Sequence, residues 1–227
     1  ITTQTALMKT RLIKFLSAAV VGVASISSAM AAVITVPNFS FENPLIGAGD
    51  SGSGGQYLST SGITSWTTGG DGSSGLQLAT APPMALVGVT GNQAAWLNGA
   101  TTLTSSAGLH TIALGDQYTL TVAAAGRKDY NSVGFQFQLT DASGTPFASS
   151  ITIIPDNVLN TFGDYTITYT AVAGNVGQEL RIKLLGVTSG PNQTSFDNVR
   201  LDVIPEPSTS AALLGGLALL GLRRRRA

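Results

Sequence analysis

The amino-acid sequence predicts an all-β fold: a single β-sandwich carried between two short apolar segments. Three observations lead there. Apolar and polar residues alternate with a period of two in many short runs, the mark of strands with one buried and one wet face. Turn residues separate those runs, and glycine alone supplies 27 of the 227 residues. Charged residues make up 11% and hydrophobic ones 43%, a composition too apolar for a disordered chain and low in charge beside the ~25% of ordinary soluble domains.

Residues 1–31 read as a leader. After Met8 come a basic start (Lys9, Arg11, Lys14), an apolar centre from Phe15 to Ile26, and small residues at Ala29 and Ala31. That order is the pattern of a secretory signal peptide with its cleavage site. A signal-peptide helix is expected here, with the Sec translocon as partner. Residues 1–7 lie upstream of a good start methionine.

The body, residues 33–203, is expected to be one domain. In VGFQFQLTD, the residues Val133, Phe135, Phe137 and Leu139 share a face. In DYTITYTAVA, Tyr165, Ile167, Tyr169 and Ala171 alternate with threonines, and in ELRIKLLG, Leu180, Ile182 and Leu184 alternate with Arg181 and Lys183. Further strands are expected at Val33–Val36, Ile63–Thr67, Leu76–Thr80, Ala94–Leu97, Tyr118–Ala124, Ser150–Ile154 and Ser195–Val203. Asn98-Gly99 and Asp141 to Pro146 supply turns. The stretch Gly47 to Gly55 reads as a surface loop. No amphipathic helix interrupts the body.

Composition removes several function classes. The body holds five basic against eleven acidic residues, a formal net charge of −6, and no basic stripe of the kind a nucleic-acid binder carries. With no cysteine, disulfides, thiolate zinc sites and thiol catalysis are excluded. GDSGSGG is similar to the nucleophile loop of trypsin-like proteases, but those enzymes place the base histidine far upstream. The one histidine here, His110, lies downstream.

Residues 204–227 form the second terminal segment. Pro205, Glu206 and Pro207 keep the chain extended. A fully apolar run of 12 residues follows, Ala211 to Leu222, and then Arg223, Arg224, Arg225 and Arg226. As a helix the run reaches ~18 Å against a bilayer core of ~30 Å, short for a durable anchor. The arginines fix orientation, since such clusters stay cytoplasmic. A short transmembrane helix is expected. Pro-Glu-Pro, apolar helix and arginine cluster in this order resemble the PEP-CTERM sorting signal of Gram-negative bacteria. That resemblance implies processing by exosortase, a transient hold in the inner membrane, and delivery to the cell surface or extracellular matrix.

The body carries a looser resemblance. NFSFENP opens it, GNQAAWLNG and LGDQYTLTVAAAGR follow, and TSFDNVRLDV closes it. This is similar to the galactose-binding-like jelly roll of carbohydrate-binding modules. The resemblance implies that Glu42 of the opening motif and Asp197 of the closing one meet at a structural calcium ion, a cation that takes about 6–8 oxygen ligands; turn capping or bonding to backbone amides is the alternative for both. Sugar faces stack on exposed aromatic rings, so Trp66, Trp96, Tyr57 and Tyr130 are the candidate glycan-binding residues, with core packing as the alternative for the two tryptophans. The function expected is that of an exported, non-catalytic surface or matrix protein contacting exopolysaccharide. The competing expectation is a secreted carbohydrate-active enzyme.

Overall fold

The structure, a computed structural model, describes residues 30–47, 57–59, 62–70, 73–80, 85–126, 134–153, 160–186 and 193–206. The signal-peptide helix, the apolar tail, Ala29, Pro207, the four arginines, Tyr130 and nearly all of the loop from Gly47 to Gly55 lie outside them. Among the described residues the only helical element is a 3-10 turn at Ala173–Asn175.

The other regular elements among the described residues are thirteen strands: β1 (Ala32–Ile34), β2 (Tyr57–Ser59), β3 (Trp66–Gly70), β4 (Ser73–Leu78), β5 (Gln93–Asn98), β6 (Thr101–Ser105), β7 (His110–Thr111), β8 (Gln117–Gly126), β9 (Phe135–Thr140), β10 (Pro146–Ser149), β11 (Gly163–Thr170), β12 (Glu179–Gly186) and β13 (Gln193–Ile204). They form two antiparallel sheets, the all-β sandwich that the alternation predicts. The seven-stranded sheet runs β11-β8-β13-β5-β4-β2, with β1 also on β13. The six-stranded sheet runs β10-β9-β12-β6-β3, with β7 on β12.

Most expected strands are present with shifted ends. The run expected at Ser150–Ile154 is displaced: the paired strand is Pro146–Ser149, and Ile153 makes only an isolated bridge to Phe135. Strand β6 was not expected, because Thr101, Thr102 and Thr104 blur its alternation, yet Leu103 is fully buried. The sheets face each other across one core, in which Leu97, Leu120, Phe196 and Leu201 meet Leu103, Phe137, Leu139 and Ile182. Phe135 and Phe196 cross between the sheets edge to face, 5.2 Å apart at 86°, a favoured aromatic geometry.

One polar chain enters this core. His110 Nδ1 lies 3.1 Å from the Tyr118 hydroxyl, which donates to Asp116 Oδ2 at 3.2 Å. Burial, then the charge of Asp116, pushes the Tyr118 hydroxyl up to about 12. His110, the chain's lone histidine, therefore serves packing here.

Phe196→Ala removes the aromatic contact that joins the sheets. It is expected to lower unfolding free energy by about 3–5 kcal/mol, measured by urea denaturation.

Candidate functional site

The opening motif is a loop tied by one side chain. Asn38 takes a positive φ of 52°, which asparagine tolerates better than most residues. Its Nδ2 donates to the carbonyls of Asn43 (2.7 Å) and Thr64 (2.9 Å), and its Oδ1 accepts the Asn43 N–H at 3.1 Å. The Asn38 carbonyl accepts Trp66 Nε1–H at 3.3 Å, and the Trp66 ring packs 5.1 Å from that of Phe41. Trp66 is 3% exposed. It is a core residue and offers no face to a ligand.

This loop brings Glu42 to the start of β5. Glu42 Oε1 accepts the N–H groups of Asn92 (2.9 Å) and Gln93 (3.0 Å). Gly91, at φ +91°, makes the approach possible, since a Cβ there would stand 2.5 Å from Oε1. Gln93 Nε2 donates to the Phe41 and Pro44 carbonyls, both at 2.7 Å.

Asp197 comes from β13 and is fully buried. Its Oδ1 accepts the Asn198 N–H at 2.7 Å and its Oδ2 accepts the Thr90 N–H. Burial raises its carboxyl from 3.8 to about 7; the two amides act the other way, and the charge of Glu42 pushes it further up. The fold thus brings Glu42 and Asp197 into electrostatic contact. Three of their four oxygens accept backbone amides. Among the described residues no group of three or more His, Cys, Asp or Glu side chains could hold a metal. The pair therefore supplies only part of a calcium shell, and carbonyls would have to complete it.

A second feature was missed in the sequence. The outward face of a sandwich sheet is normally polar and wet, and β11 obeys this: Asp164, Thr166, Thr168 and Thr170 are all exposed. The middle of the same sheet does not. Gln77 of β4, Ala94 and Trp96 of β5, Ala123 and Ala125 of β8, and Ser195 and Asp197 of β13 are all buried. They alternate along their strands with the core residues Leu76, Ala95, Leu97, Ala124 and Phe196, so they face away from the core. Gly75, Trp96, Ser195 and Ala125 stand in one row across four strands, a span of ~14 Å. Trp96 is the one large ring in a row of small residues. It is 7% exposed and donates through Nε1 to the Leu76 carbonyl at 3.1 Å.

Trp96 is thus buried, but on the opposite side of the sheet from the sandwich core. The signal lay in the sequence: AAW on β5 and AAA on β8 are apolar on both faces, as strands buried on both faces are. Tyr57 is half-buried on β2, paired with Gln77. Ala31, Pro205 and Glu206 are exposed and outside any helix or strand.

Asp197 gives a pH signature. Between the ordinary carboxylate range and about 7 the folded protein holds a proton that the unfolded chain has released. Stability from this group is complete below pH 3.8 and is lost as pH rises through about 7. With chelator present, unfolding free energy is expected to fall across that window, and Asp197→Asn is expected to flatten the slope in urea titrations.

A family model described as HpiC1-like, HpiC1 cyclase, matches residues 32–202. Solved structures with the same fold include the Stig cyclase Fisc from Fischerella sp. TAU in complex with (3Z)-3-(1-methyl-2-pyrrolidinylidene)-3H-indole. It is 21% identical, with 78% of this chain and 99% of that one covered and a TM-score of 0.61. A cyclase from the same organism in complex with 4-(1H-indol-3-yl)butan-2-one is also 21% identical, over 77% and 98% of the two chains, with a TM-score of 0.61. An apo cyclase from Fischerella sp. is 23% identical over 79% and 98%, with a TM-score of 0.60. These likenesses show the fold. No match was found among curated proteins.

The family match overturns the expected non-catalytic, polysaccharide-binding matrix protein sorted by exosortase. It turns the expectation toward an enzyme, though not one marked as acting on carbohydrate. A β-sandwich with this surface looks like a binding module because catalysis on it needs no sequence motif, only side chains that meet in the fold. The chain belongs to the HpiC1-like cyclase family.

Proposed function

We propose that the body is a cyclase that closes a ring on a planar aromatic substrate held over the outward face of the seven-stranded sheet. The observation that carries this reading is the buried row of small residues, Ala125 and Ser195, beside Trp96. Small side chains beside one indole make a low, water-screened apolar bed, and the indole supplies a face or edge for a flat ring to pack on. The indole-bearing ligands of the Fischerella cyclases support this substrate class.

Asp197 is the proton donor in this reading. It is the buried carboxyl on the same face as Trp96, two positions from Ser195 along β13. A proton given to an electron-rich heteroaromatic ring makes the adjacent carbon electrophilic. A pendant nucleophilic carbon of the same molecule then forms the new bond, and loss of a proton to the carboxylate restores the acid. The burial of this face keeps water from trapping the cation. A leader ending at Ala31 would place this chemistry outside the cytoplasm.

The test is turnover of an indole-bearing panel, followed as mass-neutral isomerisation. Asp197→Asn is expected to lower kcat by about 10²–10⁴-fold. Trp96→Ala is expected to raise KM with the circular dichroism spectrum retained. Full activity in Asp197→Asn would remove Asp197 from the mechanism.

One observation favours a second reading of the same carboxylate. Glu42 stands close enough to act on Asp197 by its charge, and two carboxylates at one strand joint attract a hard cation. In that reading Glu42, Asp197 and nearby carbonyls hold a structural calcium ion that clamps the opening loop to β13. Calcium is then expected to raise Tm, and Glu42→Gln to abolish the rise while leaving kcat intact. A Tm indifferent to both calcium and chelator would exclude it.

A further inference from the structure

We propose that Gly75 is a positioning residue for the substrate bed, holding the Trp96 indole down on the sheet by having no side chain. This rests on the reading of Trp96 given above.

Gly75 sits on β4 directly opposite Trp96 of β5. A Cβ at this position would stand 2.6 Å from Trp96 Cζ2 and 2.8 Å from Cε2. Both fall inside the 3.0 Å that real Cβ contacts essentially never breach. The benzo half of the indole therefore lies on bare backbone. The same edge of the ring is held by the Nε1–H bond to the Leu76 carbonyl at 3.1 Å, one residue along the same strand. Two contacts on adjacent residues of β4 thus seat this edge of the ring close against the strand.

The requirement for glycine here is space and not backbone freedom. Gly75 is absent from the positive-φ glycines, which include Gly70, Gly88 and Gly91, so its backbone is one that any residue adopts. A methyl group at this position has to lift the indole into the space assigned to substrate. It also meets the Leu58 carbonyl oxygen of β2 at 2.0 Å, and the experiment must separate that second effect from the first.

Trp66 and Trp96 are the chain's only tryptophans, so in the full chain carrying Trp66→Phe all indole fluorescence comes from Trp96. Adding Gly75→Ala is expected to shift emission to the red as the ring leaves its 7%-exposed seat. On the indole-bearing panel kcat/KM is expected to fall by up to ~10²-fold, mostly through KM, with bulkier substrates suffering more. The double variant Gly75→Ala/Trp96→Phe carries a ring without the clashing atoms. It is expected to return KM to the value of Trp96→Phe alone, a non-additive cycle.

An unshifted emission overturns the proposal. So does a double variant no better than Gly75→Ala, which would place the effect in β2. A red shift with unchanged KM also overturns it, because the ring would then have moved without consequence for substrate. If no panel member is turned over by the parent protein, the cyclase reading fails by itself; the proposal, being about substrate, falls with it, and the emission shift still reports whether Gly75 seats the ring.

Discussion

One extra residue in β13 governs both faces of the seven-stranded sheet. Before it, Phe196 points into the core while Ser195 and Asp197 point out. Asn198 then takes a positive φ of 45°, and the register against β8 shifts between Asp197 and Arg200. A bulge of this kind inserts one residue without breaking the strand. After it, Val199, Leu201 and Val203 are the core residues. Without the bulge, the even-numbered phase of Phe196 would continue, and Val199, Leu201 and Val203 would turn to solvent. The same residue donates its N–H to Asp197. Core closure and the seating of the buried carboxylate are therefore one structural event.

That dependence explains which parts of the molecule were legible in the sequence. Strands β9, β11 and β12 alternate cleanly because each has one wet face. The spacing of Phe196, Val199, Leu201 and Val203, three and then two and two, marks the bulge, with asparagine at the position that needs the left-handed conformation. Glu42 and Asp197 could be placed together only through resemblance, since 155 positions separate 42 from 197 in the sequence and nothing local to either names the other.

The two tryptophans show where local reading ends. Trp66 and Trp96 both sit among apolar or small neighbours and both are buried. One packs on Phe41 inside the sandwich; the other lies on Gly75 outside it. What separates them is the phase of the pleat at each strand, which depends on partners far away in sequence. Enzymatic character was hidden for the same reason. Its candidate parts are an unremarkable aspartate, a tryptophan and several alanines, and none of these forms a spaced motif.

The place of β13 in the sheet has a consequence for how the chain is made. Among the described strands it is the last in sequence yet lies at the centre, bonded to β8 on one side and to β5 and β1 on the other. Until it has emerged from the ribosome, the larger sheet exists only as three pieces: β11 with β8, β5 with β4 and β2, and β1 by itself. Pairings between such distant segments form slowly, because the loop they close is long. The body is thus obliged to stay unfolded through most of its own synthesis. That delay is supplied by strand order alone.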